Sequence, residues 1–354
     1  MAQKVLMKGN ETIAEAAIMA GCRHYFGYPI TPQTEVAAYM AKRMPKIGGV
    51  FLQAESEIAA INMVIGVAAT GKRVMTSSSS PGISLKCEGL SYLAGCDLPA
   101  LIVNVQRGGP GLGGIQPSQS DYFQATRGSG HGDFHMVVLA PASVQEMADL
   151  TFKGFDLAEK YRTPVMLLAD GTMGQMMEPV SLDMGEIKEY DKSWAVTGTG
   201  MARPHNIVNS LCLNPEELED LNIARFERYA QIEANEALYE SFMMEDAEIC
   251  VTGFGIASRV AKNAIAAARA EGIKVGMIRP ITLWPFPKAA YKEAAKQVKS
   301  FISVELSMGQ MIEDVRLAIE CSRPVTLCNR AGGMIVTPEQ VLASIREAAK
   351  GGQN

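Results

Sequence analysis

Residues 51–71, FLQAESEIAAINMVIGVAATG, give the clearest indication of how this chain folds and where its chemistry lies. The composition predicts a short buried strand that ends near Leu52 and a helix that begins near Ser56. Apolar residues then recur at three- and four-residue spacing, at Ile58, Ile61, Ile65 and Ala68. Glu57 is therefore predicted to lie on the first turn of a helix that follows a strand.

Two interpretations of Glu57 are open from this stretch alone. In the ordinary one, Ser56 caps the helix and Glu57 interacts favourably with the helix dipole. In the functional one, the small residues of the helix let it pack against a flat ligand, and a carboxylate that faces such a dry site needs a partner. The aminopyrimidine ring of thiamine diphosphate is one ligand that supplies a matching partner.

Composition bounds the class of protein. With 354 residues, of which 47% are hydrophobic, the chain is long enough for two domains with cores of their own. The net charge of −5 and the scattered Lys and Arg argue against binding to nucleic acid or to an anionic membrane surface. The first residues lack the order of a signal peptide, and no apolar run approaches the ~18 residues that span a bilayer. We expect a cytoplasmic protein that handles small molecules.

The cysteines argue against a metal or disulfide framework. They are widely spaced, and no two of them form a C-x-x-C pair. The cysteines are Cys22, Cys87, Cys96, Cys212, Cys250, Cys321 and Cys328. Zinc sites, iron-sulfur clusters and disulfide-rich scaffolds need closer or paired spacing. We expect buried free thiols and no metal site in this chain.

A proline-stiffened loop follows the next predicted strand. His24-Tyr25-Phe26-Gly27 is typical of a strand, and the sequence continues with Tyr28-Pro29-Ile30-Thr31-Pro32 before a helix. Thr31 could simply cap that helix. Alternatively, the loop lies where open α/β sheets bind their ligands, at the carboxyl end of a strand. The serine-rich residues 76–82 are open to the same two interpretations, since their hydroxyls can bind an anion or their own backbone.

Arg107 follows the clearest buried strand, LPALIVNV at residues 98–105. It opens a long Gly-rich segment that is typical of a loop facing a ligand or a partner. An arginine there can hold a carboxylate or a phosphate with two hydrogen bonds, or it can form a surface or interface ion pair. His131 and Asp133 in the same segment are weaker candidates.

The order of predicted elements gives an α/β protein with a doubly wound, mainly parallel sheet followed by a smaller α/β domain. We expect the first domain at residues 1–184, a helical connector at 185–245 and the second domain at 246–354. Asp170-Gly171 is interpreted as an ordinary strand-end turn. Gly253-Phe254-Gly255 lacks the third glycine of a dinucleotide fingerprint.

Five motifs together closely resemble one family, the α-type subunits of the 2-oxoacid:ferredoxin oxidoreductases. They are GYPITP (27–32), QAESEIAAINMVIG (53–66), SSPGISLKCEG (79–89), VNVQRGGPGLG (103–113) and GHGD (130–133). The resemblance covers the whole chain, and it implies a thiamine diphosphate pyrimidine-type domain followed by a transketolase-C-like domain. It is strongest to the large subunit of the branched-chain type, which acts on 2-oxoisovalerate; the 2-oxoglutarate type is the alternative.

The resemblance also implies roles for single residues. Glu57 would be the catalytic carboxylate that pairs with the pyrimidine N1′ and acts as a general acid/base. Tyr28, Ile30 and Thr31 would lie beside the cofactor, and Thr31 beside the substrate as well. Arg107 would face the substrate carboxylate or CoA. Glu55 is a rival for the N1′ role, but the nine-residue spacing to a glycine that is typical of thiamine enzymes fits Glu57.

The same resemblance implies that the chain supplies half of an active site. Thiamine diphosphate would be shared with a β-type subunit that binds the diphosphate and Mg²⁺. A γ-type subunit, a ferredoxin-like subunit with [4Fe-4S] clusters and ferredoxin itself would be the other protein partners, and a 2-oxo acid and CoA the substrates. Two further interpretations are a lipoamide-type 2-oxoacid dehydrogenase subunit, which the YPITP and QRGGPG motifs argue against, and a non-catalytic α/β scaffold.

Overall fold

A computed structural model describes residues 4–351 of the chain. The strands, in chain order, are β1 (Lys4–Lys8), β2 (His24–Gly27), β3 (Val50–Gln53), β4 (Val74–Ser78), β5 (Ala100–Gln106), β6 (Val137–Leu139), β7 (Pro164–Asp170), β8 (Met177–Ser181), β9 (Tyr239–Phe242), β10 (Ile249–Thr252), β11 (Val275–Pro280), β12 (Thr282–Trp284), β13 (Ser300–Glu305) and β14 (Val325–Asn329).

Helices separate most of these strands. They are α1 (Gly9–Met19), α2 (Thr34–Arg43), α3 (Glu57–Ala69), α4 (Ser80–Gly95), α5 (Tyr122–Thr126), α6 (Val144–Tyr161), α7 (Gly171–Gln175), α8 (Pro215–Glu236), α9 (Gly255–Ala270), α10 (Lys288–Gln297), α11 (Met311–Ala318) and α12 (Pro338–Gly351). The alternation of strands and helices produces the parallel pairing that the sequence predicts.

Within residues 4–351, the larger sheet has seven strands in the order β12-β6-β7-β5-β4-β2-β3. Its neighbours are parallel except for the antiparallel pair β12–β6. Strand β5 is buried throughout, as a central parallel strand covered on both faces should be. The predicted α/β class with a mainly parallel sheet is confirmed.

The smaller sheet has the order β14-β13-β10-β11-β9 in the described range, with β9 antiparallel at one edge. Strands β1 and β8 form a separate antiparallel pair. Strand β12 comes from the C-terminal part of the chain but pairs with β6 in the larger sheet, so the two halves share a sheet edge. The domain boundaries at residues 184 and 245 remain a prediction.

Polar contacts as well as an apolar core join the two halves. The Gln119 side chain donates to the Phe254 carbonyl oxygen at 2.7 Å and accepts from the Leu306 N–H at 3.1 Å. The Tyr122 hydroxyl donates to Asp314 at 2.6 Å. One cluster of buried apolar side chains runs through both sheets. These contacts fix the loop after β5 against the C-terminal half.

The cysteines are free, but only three of them are buried, namely Cys22, Cys250 and Cys328. The expectation that the thiols would all be buried is wrong, because Cys321 is exposed. No helix in residues 4–351 is both long and apolar enough to cross a membrane.

The fold brings four segments to one edge of the larger sheet. Because β2, β3, β4 and β5 run parallel, their carboxyl ends meet there. The YPITP loop, the start of α3, the start of α4 and Arg107 each follow one of these strands.

Candidate functional site

Glu57 is the first residue of α3, and its side chain turns inward. The Ser56 hydroxyl caps the helix by accepting from the Ala59 N–H at 3.2 Å. Glu57 is only 5% exposed, whereas Glu55 is exposed. Ile58, which the sequence pattern placed on the buried face, is 50% exposed. The inward face at the start of the helix therefore carries a carboxylate in place of an isoleucine.

The Glu57 carboxylate lies against the first turn of α4. A Cβ atom added to Gly82 would be 2.6 Å from Glu57 Oε1, so only glycine permits this approach. Ser78 Oγ, at the end of β4, also borders this position, and it is buried without a hydrogen-bond partner. Among the side-chain hydrogen bonds of residues 4–351, none involves the Glu57 carboxylate.

This arrangement fits a ligand nitrogen that shares a proton with a carboxylic acid. A buried carboxylate and a buried hydroxyl without partners are costly unless a ligand or another chain completes them. Because Gly82 has no side chain, Ser78 Oγ and the Glu57 carboxylate both lie close against the backbone of α4. The pyrimidine of thiamine diphosphate has these properties, so the residues present fit that group.

Lys86 lies one turn further along α4 and is fully buried. Its Nζ donates to Thr76 Oγ1 on β4 at 3.0 Å. Burial lowers the pKa of Lys86 to about 8, and the negative charge of Glu57 opposes that shift. A lysine and a glutamate are thus both buried where β4, α3 and α4 pack together.

The YPITP loop is held by its backbone. Gln33 donates to the Tyr28 carbonyl oxygen from its side chain at 3.3 Å and to the Ile30 carbonyl oxygen from its N–H at 3.2 Å. Gln33 Oε1 in turn accepts from the Ser77 hydroxyl at 2.5 Å. The side chain of Tyr28 is 37% exposed, Ile30 is half-buried and Thr31 is exposed. The loop is therefore fixed in position while its side chains remain accessible.

Arg107 is buried and fastens two loops together. Its Nη1 donates to the Thr31 carbonyl oxygen at 3.0 Å and its Nη2 to the Leu112 carbonyl oxygen at 3.1 Å. Its Nε is buried without a hydrogen-bond partner. Within residues 4–351, this guanidinium does not form the surface ion pair that the sequence left open. No carboxylate lies within salt-bridge distance of it.

The start of α4 connects these groups. Ser80 Oγ accepts from the Arg107 N–H at 3.0 Å and donates to Asp121 at 2.6 Å. Two residues later, Gly82 contacts Glu57. The structure thus brings Thr31, Arg107 and the Glu57 helix to one place, whereas Tyr28 and Ile30 take part through their backbone.

An open cavity of about 670 Å³ adjoins this place, between the two halves of the chain. Hydroxyl, amide and carboxyl groups line it, including Ser80, Ser120, Asp121, Ser307 and Gln310. Burial raises the pKa of Asp121, and hydrogen bonds from Ser80 and Asn104 oppose the shift. The cavity is large enough for a polar organic ligand.

Sequence reasoning missed Lys86, Gln33 and Asp121. For Lys86 a signal was present, because it lies three residues after Ile83 and four before Leu90, on the apolar stripe of α4. A lysine on such a stripe would ordinarily be assigned to the exposed surface of the helix. If that assignment is wrong, the lysine is buried for a reason. Gln33 and Asp121 lie in loops, where the sequence alone gives no indication of contacts.

Two family models match the chain. Residues 15–240 match the model described as pyruvate flavodoxin/ferredoxin oxidoreductase, thiamine diphosphate-binding, and residues 247–341 match pyruvate:ferredoxin oxidoreductase core domain II.

Individual proteins are similar over nearly the whole chain. Ketoisovalerate oxidoreductase subunit VorB of Methanothermobacter marburgensis is 52% identical over 97% of this chain and 97% of its own length. The 2-oxoglutarate synthase subunit KorA of Methanothermobacter thermautotrophicus is 34% identical over 98% of this chain and 99% of its own. Among solved structures, 2-oxoglutarate:ferredoxin oxidoreductase of Magnetococcus marinus, with 2-oxoglutarate, coenzyme A and succinyl-CoA bound, aligns with a TM-score of 0.89 at 30% identity. That alignment covers 98% of this chain and 66% of the other.

Proposed function

The chain belongs to the 2-oxoacid:ferredoxin oxidoreductase family, and we propose that it supplies the pyrimidine side of a shared thiamine diphosphate site that oxidatively decarboxylates 2-oxoisovalerate. The products would be an acyl-CoA, carbon dioxide and reduced ferredoxin. The observation that carries this proposal is the buried Glu57 carboxylate, which has no hydrogen-bond partner in the described chain and lies against Gly82.

Glu57 would hold the pyrimidine by sharing a proton with N1′. Glu57 lies on the first turn of α3, which the Ser56 cap fixes, so its carboxylate is held in one position in the site. When bound, thiamine diphosphate supplies the carbon nucleophile that adds to the 2-oxo carbon and lets carbon dioxide leave. Glu57 would act as a general acid/base on the pyrimidine ring and not directly on that carbon.

The YPITP loop and Arg107 would border the cofactor and the substrate. Tyr28, Ile30 and Thr31 would line the cofactor side, and the Thr31 hydroxyl, on an exposed residue, can reach a substrate. Arg107 holds the Thr31 carbonyl with Nη1 and keeps a buried Nε without a partner. That N–H would be available to the substrate carboxylate or to CoA.

The surface around Glu57 supports a site completed by other chains. Ile58 is 50% exposed on α3 and Leu85 is 52% exposed on α4, next to the site. The Gly-rich residues 109–116 are exposed as well. Large apolar side chains at such a position are typical of protein interfaces.

We assign that surface to a β-type subunit that binds the diphosphate and Mg²⁺. A γ-type subunit and a ferredoxin-like subunit with [4Fe-4S] clusters would complete the complex, and ferredoxin would be the electron acceptor. CoA would enter as the acyl acceptor. The complex would be cytoplasmic, where CoA and ferredoxin are available.

The branched-chain substrate is favoured by the degree of similarity. Identity to the ketoisovalerate subunit is 52%, against 34% to the 2-oxoglutarate subunit, over nearly the same share of the chain. A 2-oxoglutarate:ferredoxin oxidoreductase is therefore the second candidate.

The test is anaerobic, CoA-dependent reduction of ferredoxin or viologen by the complex co-expressed with its partner subunits. 2-Oxoisovalerate and 2-oxoglutarate are offered side by side. Faster turnover of 2-oxoisovalerate is expected. Preference for 2-oxoglutarate would change the substrate assignment within the same family, and no reduction with either would leave a non-catalytic scaffold as the better interpretation.

A further inference from the structure

The open cavity between the two halves of the chain has a single charged group in its wall. Its volume is about 670 Å³, and of the described side chains that line it only Asp121 carries a charge. No lysine, arginine or histidine of residues 4–351 is among them. The rest of the lining is uncharged, with hydroxyl and amide groups beside the apolar side chains of Leu306 and Met308. A ligand in this cavity therefore meets a carboxylate of this chain and no cation.

Hydrogen bonds hold only one oxygen of the Asp121 carboxylate. Oδ2 accepts from the Ser80 hydroxyl at 2.6 Å and from the Asn104 side-chain amide at 3.0 Å. Both donors favour the ionised form of the carboxyl group. Within residues 4–351, Oδ1 accepts no hydrogen bond, and it is not sealed from solvent. The fold thus fixes this carboxylate in place and leaves one of its oxygens to the cavity.

The cavity begins where the proposed cofactor and substrate groups meet. Pro81, on one wall, immediately precedes Gly82, against which the Glu57 carboxylate lies. Residues 108–111, on another wall, directly follow Arg107. A 2-oxo acid whose carboxylate is held by Arg107, with its oxo carbon at the cofactor, would therefore extend its side chain into this cavity.

Arg107 can serve one carboxylate of the substrate. Its Nη atoms are committed to the carbonyl oxygens of Thr31 and Leu112, so Nε is the N–H that remains for a ligand. A second carboxylate on the substrate would find no cation among the described lining residues. It would instead approach the charge of Asp121, and two like charges between protein walls repel each other more strongly than in water. An uncharged side chain meets no such penalty.

We propose that Asp121 is a specificity-determining residue that excludes 2-oxo acids with a second carboxylate and restricts the site to substrates with an uncharged side chain. The role of Asp121 rests on the function proposed above. Selectivity between two similar substrates can come from a group that disfavours the wrong one as well as from contacts to the right one. Asp121 supplies such a group against 2-oxoglutarate, whereas 2-oxoisovalerate has no distal charge for it to repel.

The test compares the two substrates in one variant of the assembled complex. Asp121→Asn can keep an oxygen at the Oδ2 position for Ser80 and Asn104, while an N–H donor replaces the free Oδ1. It should raise kcat/KM for 2-oxoglutarate relative to 2-oxoisovalerate about tenfold, because the like charge is gone. General damage to the fold would lower both values without favouring 2-oxoglutarate. Asp220→Asn removes an exposed carboxylate on α8 and should leave the ratio unchanged.

Binding gives the same comparison without turnover. Glutarate carries the two carboxylates of 2-oxoglutarate but no oxo group, and isovalerate is the matched ligand with one carboxylate. In calorimetric titrations, glutarate should bind more tightly to the Asp121→Asn complex than to the unchanged complex, and isovalerate should show no such gain. The difference for glutarate should shrink at high ionic strength, because salt screens the repulsion in an open cavity.

A second variant covers the case in which Asp121→Asn fails to assemble. Met308 lines the cavity and is 79% exposed, so Met308→Lys adds a positive charge there with little effect on packing. It should raise kcat/KM for 2-oxoglutarate relative to 2-oxoisovalerate, because the lysine offers the second carboxylate a partner. Met308→Gln is the uncharged control and should not change the ratio.

An unchanged ratio in Asp121→Asn would overturn the role of Asp121, and so would an unchanged ratio in Met308→Lys where Asp121→Asn does not assemble. Preference of the unchanged complex for 2-oxoglutarate would overturn it as well, since the second carboxylate would then be accepted. Failure of the unchanged complex to oxidise either substrate would instead overturn the proposed function, and the role of Asp121 with it.

Discussion

Arg107 donates a hydrogen bond from Nη1 to the carbonyl oxygen of Thr31, at 3.0 Å, and thereby ties the segment after β5 to the segment after β2. These segments lie 76 residues apart in the chain. Nη2 holds the Leu112 carbonyl in the same way. One guanidinium therefore sets the distance between the YPITP loop and the Gly-rich loop.

Arg107→Lys should raise KM for the 2-oxo acid more than it lowers kcat. Lysine keeps the charge but cannot donate to two carbonyls in the planar geometry of the guanidinium. Loss of one buried, charge-assisted hydrogen bond costs about 1.5–3 kcal/mol, which corresponds to roughly a tenfold to hundredfold fall in kcat/KM. Steady-state kinetics of the complex measure this, with Arg203→Lys as an exposed control. Unchanged kinetics would mean that Arg107 only packs the loops.

Glu57→Gln should reduce turnover by about 10²–10⁴-fold while the complex assembles normally, because the amide keeps the size of the side chain but not its acid/base function. Glu55→Gln changes the same residue type two positions away, at an exposed site, and should behave like the unchanged protein. Size-exclusion chromatography and ferredoxin reduction give the two readouts. Substantial activity of Glu57→Gln would favour the scaffold interpretation.

Gly82→Ala should weaken thiamine diphosphate binding and turnover together. The added methyl group would overlap with Ser78 Oγ and lie 2.6 Å from Glu57 Oε1, so both side chains have to move. The matched control is Gly66→Ala in α3, where an added Cβ meets nothing within 4 Å and should stabilise the helix by up to about 1 kcal/mol. Binding isotherms of both variants separate the displacement of Glu57 and Ser78 from a general effect of alanine.

Lys86→Met should make the protein more stable at neutral pH, because it removes a charge that is fully buried. Burial lowers the pKa of Lys86 in the folded chain to about 8, below the ordinary lysine value of 10.5, so the unfolded chain binds the proton more tightly and the lysine destabilises the fold below pH 8. A difference of that size corresponds to about 3 kcal/mol. The penalty shrinks as pH rises from about 8 toward 10.5.

Denaturant unfolding of the complex at pH 7 and at pH 9.5 measures this effect. The stability advantage of Lys86→Met over the unchanged protein should be larger at pH 7. Lys42→Met, at an exposed position, should show no such advantage at either pH. An advantage that grows with pH would contradict the assigned direction of the Lys86 pKa shift.

Much of the fold was predictable because it depends on local patterns. A strand as apolar as β5, and a helix with a clear start signal such as α3 after Ser56, were both predicted from sequence. Strand β1 was missed, because half-exposed Lys4–Lys8 has no partner nearby in sequence and pairs with the distant β8. Strand β12 is buried, but it was missed as well, because its partner β6 is distant in the sequence.

The residues of the candidate site likewise include some that the sequence could predict and some that it could not. A carboxylate in the first turn of a helix is common, so Glu57 could be singled out only through the family resemblance and its nine-residue spacing to Gly66, and its burial agrees with that choice. The contacts of Arg107 could not be predicted, since a guanidinium can reach either a carbonyl or a carboxylate. The position of Lys86 on the apolar stripe of α4 was a signal in the sequence, but its full burial and its hydrogen bond to Thr76 became evident only in the structure.

The pairing of β12 with β6 also affects how the protein folds while it is being synthesised. Without β12, β6 would be an open edge of the larger sheet, and Thr282 emerges from the ribosome about 140 residues after Leu139. At about 5–20 residues per second, that edge stays uncovered for about 7–30 s. An unpaired edge strand is a template for joining a neighbouring chain. The nascent protein is therefore most exposed to aggregation after its N-terminal half has been made and before residue 284 is available to cover it.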